Sequence, residues 1–284
     1  MHDQRSAITR DGRRITYLVS GSGPPLICHP GGPGFDGTYF EDLGGLAARR
    51  TLVLVNPAGA RDSDPWPGGD YSLPERADDV EDVRIALGEE QIDFLGHSAG
   101  GWVGAKYASA YPERVRKLLL VGTLTRFNED IRDAIIVSVN RHADEPWFED
   151  AERAHAQRVA REYTSDDEFV ALYMQGFRFF FATFGETEQA YVERMNAAGA
   201  RIDLRTLESF NDRASELDLR PDLPKIEAET LVVNGELEAP RATERELVEG
   251  IRRSTLAVIE GAGHFPWIEQ RERWSEAVLP FVSS

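Results

Sequence analysis

Seven short apolar segments, distributed over most of the chain, constrain the fold more than any other feature of the sequence. Most are apolar throughout rather than alternating between apolar and polar residues, which is typical of strands buried on both faces of a parallel sheet. They are residues 14–19, 25–29, 51–55, 92–96, 117–122, 230–235 and 256–260. The pattern predicts an α/β protein whose central sheet is covered by helices.

Helices are predicted between or after these strands, at residues 77–87, 101–111 and 272–282. The alternation indicates a doubly wound, mostly parallel sheet. It is interrupted by residues 124–221, which contain no convincing strand and have the pattern of helices at 151–163, 167–184 and 188–198. We therefore expect a core of residues 1–123 and 222–284, with a helical insertion of residues 124–221 between two late strands.

Composition and charge exclude several classes of function. The formal net charge of −17 makes nucleic acid or an anionic membrane surface an unfavourable partner. No apolar run approaches the roughly 20 residues that span a bilayer, and the first residues lack the apolar segment of a signal peptide. The single cysteine, Cys28, cannot form an internal disulfide, so a reducing, cytoplasmic location is expected. The oligomeric state stays open.

The stretch Gly96-His97-Ser98-Ala99-Gly100 lies between a predicted buried strand and a predicted helix. A Gly-x-Ser-x-Gly turn at such a junction is strained, needs small flanking residues and presents the serine hydroxyl at the helix N-terminus. A tight turn that is merely built of small residues is the alternative. The position between strand and helix favours Ser98 as a nucleophile, with the Ala99 amide as one donor to an oxyanion.

His264, just after the last predicted strand, is the predicted general base, because a hydrolase histidine follows both the serine and the acid along the chain. The acid is expected in the loop after residues 230–235, with Glu238 as the first choice and Glu236 as the second. Such a carboxylate orients the imidazole and stabilises its charged form. His97, beside the serine, is expected to have a structural role.

The second oxyanion donor is expected in the glycine-rich loop Gly31-Gly32-Pro33-Gly34, which follows an early strand. Glycine amides can approach a substrate closely and need no side chain to act. The Gly32 amide is the first choice and Gly31 the second. No Gly-Lys-Ser/Thr sequence follows, so a phosphate-binding P-loop is rejected. The mechanism requires no metal and no organic cofactor.

These motifs resemble those of α/β-hydrolase-fold serine hydrolases, and most of all the proline iminopeptidase family (peptidase S33). The similarity covers nearly the whole chain and rests on the GHSAGG motif, the Gly235-x-x-Glu238 loop, His264 and the run Gly31–Gly34. It implies that the insertion is a cap over the serine. The chain departs from the family at Pro30, where histidine is usual, at Glu238, where aspartate is usual, and at Ala99, where an aromatic residue is often found.

The candidate substrate contacts are Gly31, in the glycine-rich loop, and three aromatic residues of the insertion. Phe177 and Phe181 are expected on one helix face with Phe184, where they could form an apolar roof over the substrate, and Trp147 is a further candidate. Packing of the cap against the core explains these aromatic residues equally well. The insertion also has 21 acidic and 12 basic residues between Leu124 and Asp222, and iminopeptidases bind a free amine through cap carboxylates. Solvated helix faces are the simpler explanation of that charge.

The sequence thus predicts a serine hydrolase that cleaves a small amide, peptide or ester through Ser98, His264 and Glu238, most like a proline iminopeptidase-type aminopeptidase. Its partner is a small-molecule or short-peptide substrate. A carboxylesterase, lactonase or thioesterase acting on a small metabolite is the first alternative. A non-catalytic ligand receptor on a hydrolase scaffold is the second.

Overall fold

An eight-stranded sheet forms the centre of the protein, for which a computed structural model describes residues 3–68, 72–199 and 202–283. The strand order is β1-β2-β4-β3-β5-β6-β7-β8; β2 runs antiparallel to both of its neighbours, and the other neighbouring strands are parallel. The strands are β1 Asp3–Ile8, β2 Arg14–Gly21, β3 Pro25–His29, β4 Thr51–Val55, β5 Ile92–His97, β6 Val115–Val121, β7 Glu229–Gly235 and β8 Ser254–Ile259. The predicted fold class, an α/β-hydrolase fold with a mostly parallel sheet, is confirmed.

The helices lie between and after the strands. They are α1 Leu73–Leu87, α2 Ala99–Ala110, α3 Glu129–Asn140, α4 Phe148–Val159, α5 Asp166–Gly176, α6 Glu186–Ala197, α7 Leu204–Arg213, α8 Glu244–Gly250, α9 Pro266–Glu269 and α10 Arg271–Ser283. Five of them, α3 to α7, fall between β6 and β7, where the helical insertion is expected. The boundaries of the cap at residues 124–221 stay a prediction.

The sheet buries apolar side chains on both faces, which explains why its strands are apolar throughout. In β3, Ile27 packs into one core cluster with Val53 and Phe94. Its neighbours Leu26 and Cys28 pack into the other cluster, on the opposite face of the sheet. The thiol of Cys28 is fully buried there.

The structure differs from the predicted secondary structure at residues 167–184 and at β1, and its helices α3, α7 and α8 have no counterpart among the predicted helices. The helix expected at 167–184 ends at Gly176, continues as a short 3-10 turn, and gives way at Phe181 to extended backbone with φ −91° and ψ 153°. Phe177 and Phe181 therefore do not share a helix face with Phe184, because the backbone between them is not a continuous helix. The edge strand β1 has no counterpart among the predicted strands, because all of its residues but one are exposed and it contains no apolar run.

A buried ion pair holds the start of β5, the strand that leads to Ser98. Arg50 Nη2 lies 2.7 Å from Asp93 Oδ2, and both side chains are almost fully buried. Arg50 also donates to the carbonyl oxygens of Pro24 and Val282. Arg116 contacts the same carboxylate at 2.7 Å but is half exposed. One guanidinium thus joins β5 to the loop before β3 and to the C-terminal helix.

We expect Arg50→Met to lower the free energy of unfolding by about 3–5 kcal/mol, because it removes the buried partner of Asp93 and leaves that carboxylate only the half-exposed Arg116. The matched variant Arg116→Met removes an exposed partner of the same carboxylate, and we expect it to cost no more than about 1 kcal/mol. Urea unfolding of both variants measures the difference. Equal losses in the two variants would contradict the role given to Arg50.

Candidate active site

Ser98 occupies a strained turn between β5 and α2. Its φ of 54° and ψ of −120° lie outside the regions that non-glycine residues ordinarily adopt. The Ser98 N–H donates to the Val121 carbonyl oxygen of the neighbouring strand at 2.8 Å. A Cβ on Gly100 would collide with the carbonyl oxygen of His29, and one on Gly96 with the carbonyl oxygen of Gly100. The two glycines are therefore a steric requirement of the turn.

Ser98 and His264 open onto one small cavity. Its volume is about 60 Å³. Because one water molecule needs about 10–15 Å³ of such volume, the cavity holds only a few molecules of that size. Six aromatic side chains line it, namely Phe35, Tyr39, Tyr173, Phe177, Phe180 and Phe265. No Asp, Glu, Lys or Arg is among the described residues that line this cavity. The space in front of the serine is thus narrow and largely apolar.

Glu238 is the carboxylate that faces His264. The distance from His264 Nδ1 to Glu238 Oε1 is 3.7 Å, longer than a hydrogen bond, and both side chains are buried. Neither of these two atoms has a hydrogen-bond partner among the described residues. The other oxygen of Glu238 accepts the Gly235 N–H at 3.2 Å. The first choice of acid therefore lies next to the predicted base.

Glu236 points elsewhere. Its side chain is exposed, and its Oε2 accepts the N–H of Gly261 at 3.0 Å. Gly122, at φ 57°, borders the space between His264 and Glu238, since a Cβ there would lie 2.8 Å from His264 Nδ1. The absence of a side chain at residue 122 thus keeps the approach between imidazole and carboxylate clear.

The predicted oxyanion donors lie beside Ser98. Ala99 is the first residue of α2, so its amide belongs to a helix N-terminus, where N–H groups have no partner within the helix. Gly31 and Gly32 line the cavity, and a Cβ on Gly31 would lie 2.8 Å from Ser98 Cβ. The Gly31 N–H already donates to Tyr39 Oη at 2.7 Å. Among the hydrogen bonds of the described residues, none engages the amide of Gly32 or Ala99.

The histidine loop is bonded directly to the segment that follows α5. The His264 N–H donates to the Phe180 carbonyl oxygen at 2.7 Å, and the Phe180 ring stacks on the imidazole at a centroid distance of 5.3 Å. Glu269 accepts the N–H groups of Gly263 at 2.9 Å and Phe265 at 3.0 Å, on either side of His264. It also accepts the Ala182 N–H at 2.7 Å. One partly buried carboxylate thus joins the His264 loop to the segment between β6 and β7.

Sequence reasoning missed Glu269, Phe180 and Tyr39. Glu269 follows His264 by five residues, and no local motif distinguishes it from the other acidic residues of this acidic chain.

His97, expected to be structural, lies between Tyr39 and the His264 backbone, with Nδ1 2.8 Å from Tyr39 Oη and Nε2 2.9 Å from the His264 carbonyl oxygen. Burial lowers the pKa of His97 well below its ordinary value.

The candidate substrate contacts are divided by the structure. Phe177 lines the cavity. Phe181 is fully buried and stacks on Phe265, and Trp147 packs against Phe179, so neither lines it.

Among the described residues, no group of three or more His, Cys, Asp or Glu side chains is arranged to hold a metal ion. None of the described helices is long and apolar enough to span a membrane.

The sheet order, the strained serine between β5 and α2, and the histidine after β8 define the class of α/β hydrolases. Comparison with protein families matches residues 24–270 to the alpha/beta hydrolase fold. The chain therefore belongs to the alpha/beta hydrolase fold family and is a hydrolase. A solved alpha/beta fold family hydrolase from Bacillus anthracis has a TM-score of 0.75 with 20% identity, over 98% of this chain and 100% of its own.

The named relatives have different activities. A proline iminopeptidase of Saccharolobus solfataricus is 22% identical over 94% of this chain and 87% of its own length. A pimeloyl-(acyl-carrier protein) methyl ester esterase of Aeromonas hydrophila is 28% identical over 92% of this chain and 96% of its own. Two relatives of 31% and 34% identity align with 42% of this chain and with only 39% and 44% of their own length. The comparisons thus establish the family, whose members catalyse several different reactions.

Glu269 gives the stability a defined pH dependence. Burial raises the pKa of its carboxyl to about 7 from the ordinary 4.5, although three backbone N–H groups oppose this rise. Between these values the unfolded chain has lost the proton and the folded chain keeps it. The stability contributed by the protonated group is therefore complete below pH 4.5 and is lost as the pH rises to about 7.

We expect the free-energy difference between wild type and Glu269→Gln to change in favour of the variant from pH 5 to pH 7. The change is at most about 3 kcal/mol, at 1.36 kcal/mol per pKa unit, and it levels off above pH 7. Urea unfolding of both proteins at pH 5, 6, 7 and 8 measures it. A difference that is constant over this range, or that moves the other way, would contradict the assignment.

Proposed function

We propose that this hydrolase cleaves small esters with an apolar acyl group through a Ser98–His264–Glu238 triad. The proposal rests on the cavity shared by Ser98 and His264, which is lined by aromatic rings and has no charged side chain in its described lining. Such a pocket favours an uncharged acyl chain, since a buried charge without a partner is costly. Its small volume favours a short one.

In this mechanism His264 removes the proton of Ser98 Oγ while Oγ attacks the ester carbonyl carbon. The Ala99 and Gly32 amides stabilise the negative charge that develops on the carbonyl oxygen. Collapse of the tetrahedral intermediate breaks the bond to the leaving oxygen, which takes the proton from His264. Water, deprotonated by His264, then attacks the acyl-enzyme, and the acid leaves as Ser98 regains its proton.

Glu238 acts in this proposal by orienting the imidazole and stabilising its charge. The 3.7 Å separation closes to a hydrogen bond when His264 becomes protonated, as catalytic hydrogen bonds are often long in the free enzyme. The proximity of Glu238 Oε1 to His264 Nδ1, in a buried setting, supports Glu238 over Glu236. Both glutamates belong to the loop after β7, so they form a matched pair for substitution.

We expect Glu238→Gln to lower kcat by at least about 100-fold, because the amide cannot compensate the charge on His264. The control Glu236→Gln should change kcat by less than about threefold, since that side chain is exposed. Steady-state hydrolysis of p-nitrophenyl butyrate by the two variants gives the comparison. The reverse ranking would transfer the role of the acid to Glu236.

The choice of ester over amide rests on what the cavity lacks. An aminopeptidase must bind a free ammonium group, and the described lining offers no carboxylate for it. The similarity to a proline iminopeptidase keeps that activity as the second candidate. Lactones and thioesters carry the same acyl chemistry as esters and fall within the proposal. A receptor without catalysis would have no need of a base, an acid and free amides around one serine.

The decisive substrate test is a panel of p-nitrophenyl acyl esters of two to eight carbons beside proline and alanine p-nitroanilides. We expect turnover of the short esters, none of the aminoacyl anilides, and loss of ester turnover in Ser98→Ala to the background rate. Faster cleavage of proline anilide than of any ester would establish the aminopeptidase instead. No turnover of any substrate by folded wild type would favour the receptor.

A further inference from the structure

Three buried hydrogen bonds connect the glycine-rich loop after β3 to the His264 loop. The Gly31 N–H donates to Tyr39 Oη at 2.7 Å. Tyr39 Oη is 2.8 Å from His97 Nδ1, and His97 Nε2 is 2.9 Å from the His264 carbonyl oxygen. Tyr39 and His97 are each 2% exposed. The two side chains therefore bridge the proposed oxyanion loop and the proposed base within the wall of the cavity.

The direction of each bond follows from the chemistry of its groups. A carbonyl oxygen only accepts, so His97 Nε2 carries a hydrogen and donates to His264. Neutral imidazole has one N–H, which leaves His97 Nδ1 as the acceptor of the Tyr39 hydroxyl. The Tyr39 oxygen in turn accepts the Gly31 N–H. Burial, and then the nearby His264, lower the pKa of His97 and keep the ring in this neutral form.

At the Gly31 end, this series of hydrogen bonds fixes the orientation of the peptide between Gly31 and Gly32. The Gly31 N–H is held by Tyr39, and its carbonyl oxygen accepts the Phe35 N–H at 3.3 Å. In a trans peptide the following N–H points opposite to the carbonyl. Holding Gly31 at both its polar groups therefore sets the direction of the Gly32 N–H, the proposed oxyanion donor.

At the other end, the arrangement fixes the backbone from which the base projects. The rings of His97 and His264 lie 4.4 Å apart between centroids. Because His97 is neutral, it adds no positive charge beside the imidazolium that forms on His264 during the proposed reaction. A cation at the same place would oppose proton transfer from Ser98.

We propose that Tyr39 and His97 are positioning residues that hold the oxyanion donor and the general base in one common geometry. This proposal rests on the proposed function. It differs from a purely structural role, because a structural network affects the free energy of unfolding alone, whereas a positioning network affects the transition state more than the bound substrate. Tyr39 touches no reacting atom in this account and acts through Gly31 and His97.

The test compares Tyr39→Phe with Tyr107→Phe. Tyr107 is also fully buried and donates to Glu81 Oε2 at 2.8 Å, between α1 and α2, so its variant deletes a comparable hydroxyl away from the site. The readouts are kcat and KM for p-nitrophenyl butyrate and the inhibition constant of phenylboronic acid, which forms a tetrahedral adduct with an activated serine. Circular dichroism verifies that each variant is folded.

We expect Tyr39→Phe to lower kcat about tenfold to a hundredfold, less than the loss of an entire oxyanion donor. KM should change by less than about threefold, and boronic acid binding should weaken by a factor similar to that of kcat. Tyr107→Phe should leave all three unchanged. His97→Asn breaks the same connection from its other end and should reproduce the pattern of Tyr39→Phe, also if the latter does not fold.

Equal kinetic losses in the Tyr39 and Tyr107 variants, or wild-type kcat and boronic acid affinity in folded Tyr39→Phe, would overturn the proposal. So would an NMR spectrum of ¹⁵N-histidine-labelled wild type in which His97 is the Nδ1–H tautomer or the imidazolium at pH 7. Failure of the proposed function has a different signature. In that case wild type itself neither hydrolyses the esters nor binds the boronic acid, and both proposals fall.

Discussion

Ser98 has a φ of 54° and a ψ of −120°, a conformation that an L residue keeps only when its surroundings hold it there. The hydrogen bond to Val121 holds the residue from the neighbouring strand. Gly100 lets the end of β3 and the loop after it pack directly against the turn, and Gly96 leaves room for the backbone of Gly100. The same close approach brings Gly31 to the Cβ of Ser98. The close packing at Gly100 and at Gly31 thus brings the proposed oxyanion loop against the strained serine.

His264, the proposed base, is held by a different set of contacts. The three successive amides from Gly263 to Phe265 each have an acceptor, either the Glu269 carboxylate or the Phe180 carbonyl oxygen. Because Phe180 and Ala182 belong to the insertion, a movement of that segment would move the imidazole as well. The backbone of this segment between β6 and β7 is therefore part of what positions His264.

The sheet and the positions of the predicted triad could be derived from the sequence, because both depend on local patterns. The strands at 25–29 and 51–55 have the observed bounds, since continuous apolar runs identify buried strands. The parallel strands β5, β7 and β8 lead to Ser98, Glu238 and His264, so these three residues lie at the same end of the sheet. Their roles remain predictions, whereas their proximity is a fact of the structure.

The remaining features depend on contacts between distant parts of the chain. Tyr39 meets His97 across 58 residues, and no local pattern marks either as the partner of the other. The run of phenylalanines after α5 has the spacing of a helix, yet its rings are distributed among different neighbours, so tertiary packing overrides the helical pattern. That no charged side chain is among the described residues of the pocket lining follows likewise from which side chains the fold brings together there.

The proposed mechanism depends most directly on the reactivity of the Ser98 hydroxyl. Reaction of the folded protein with a fluorophosphonate, followed by intact mass and peptide mapping, measures it. We expect one adduct per chain on Ser98, no adduct in Ser98→Ala, and strongly slowed labelling in His264→Ala. Folded wild-type protein that remains unlabelled, or that carries the adduct on another residue, would contradict the proposed mechanism.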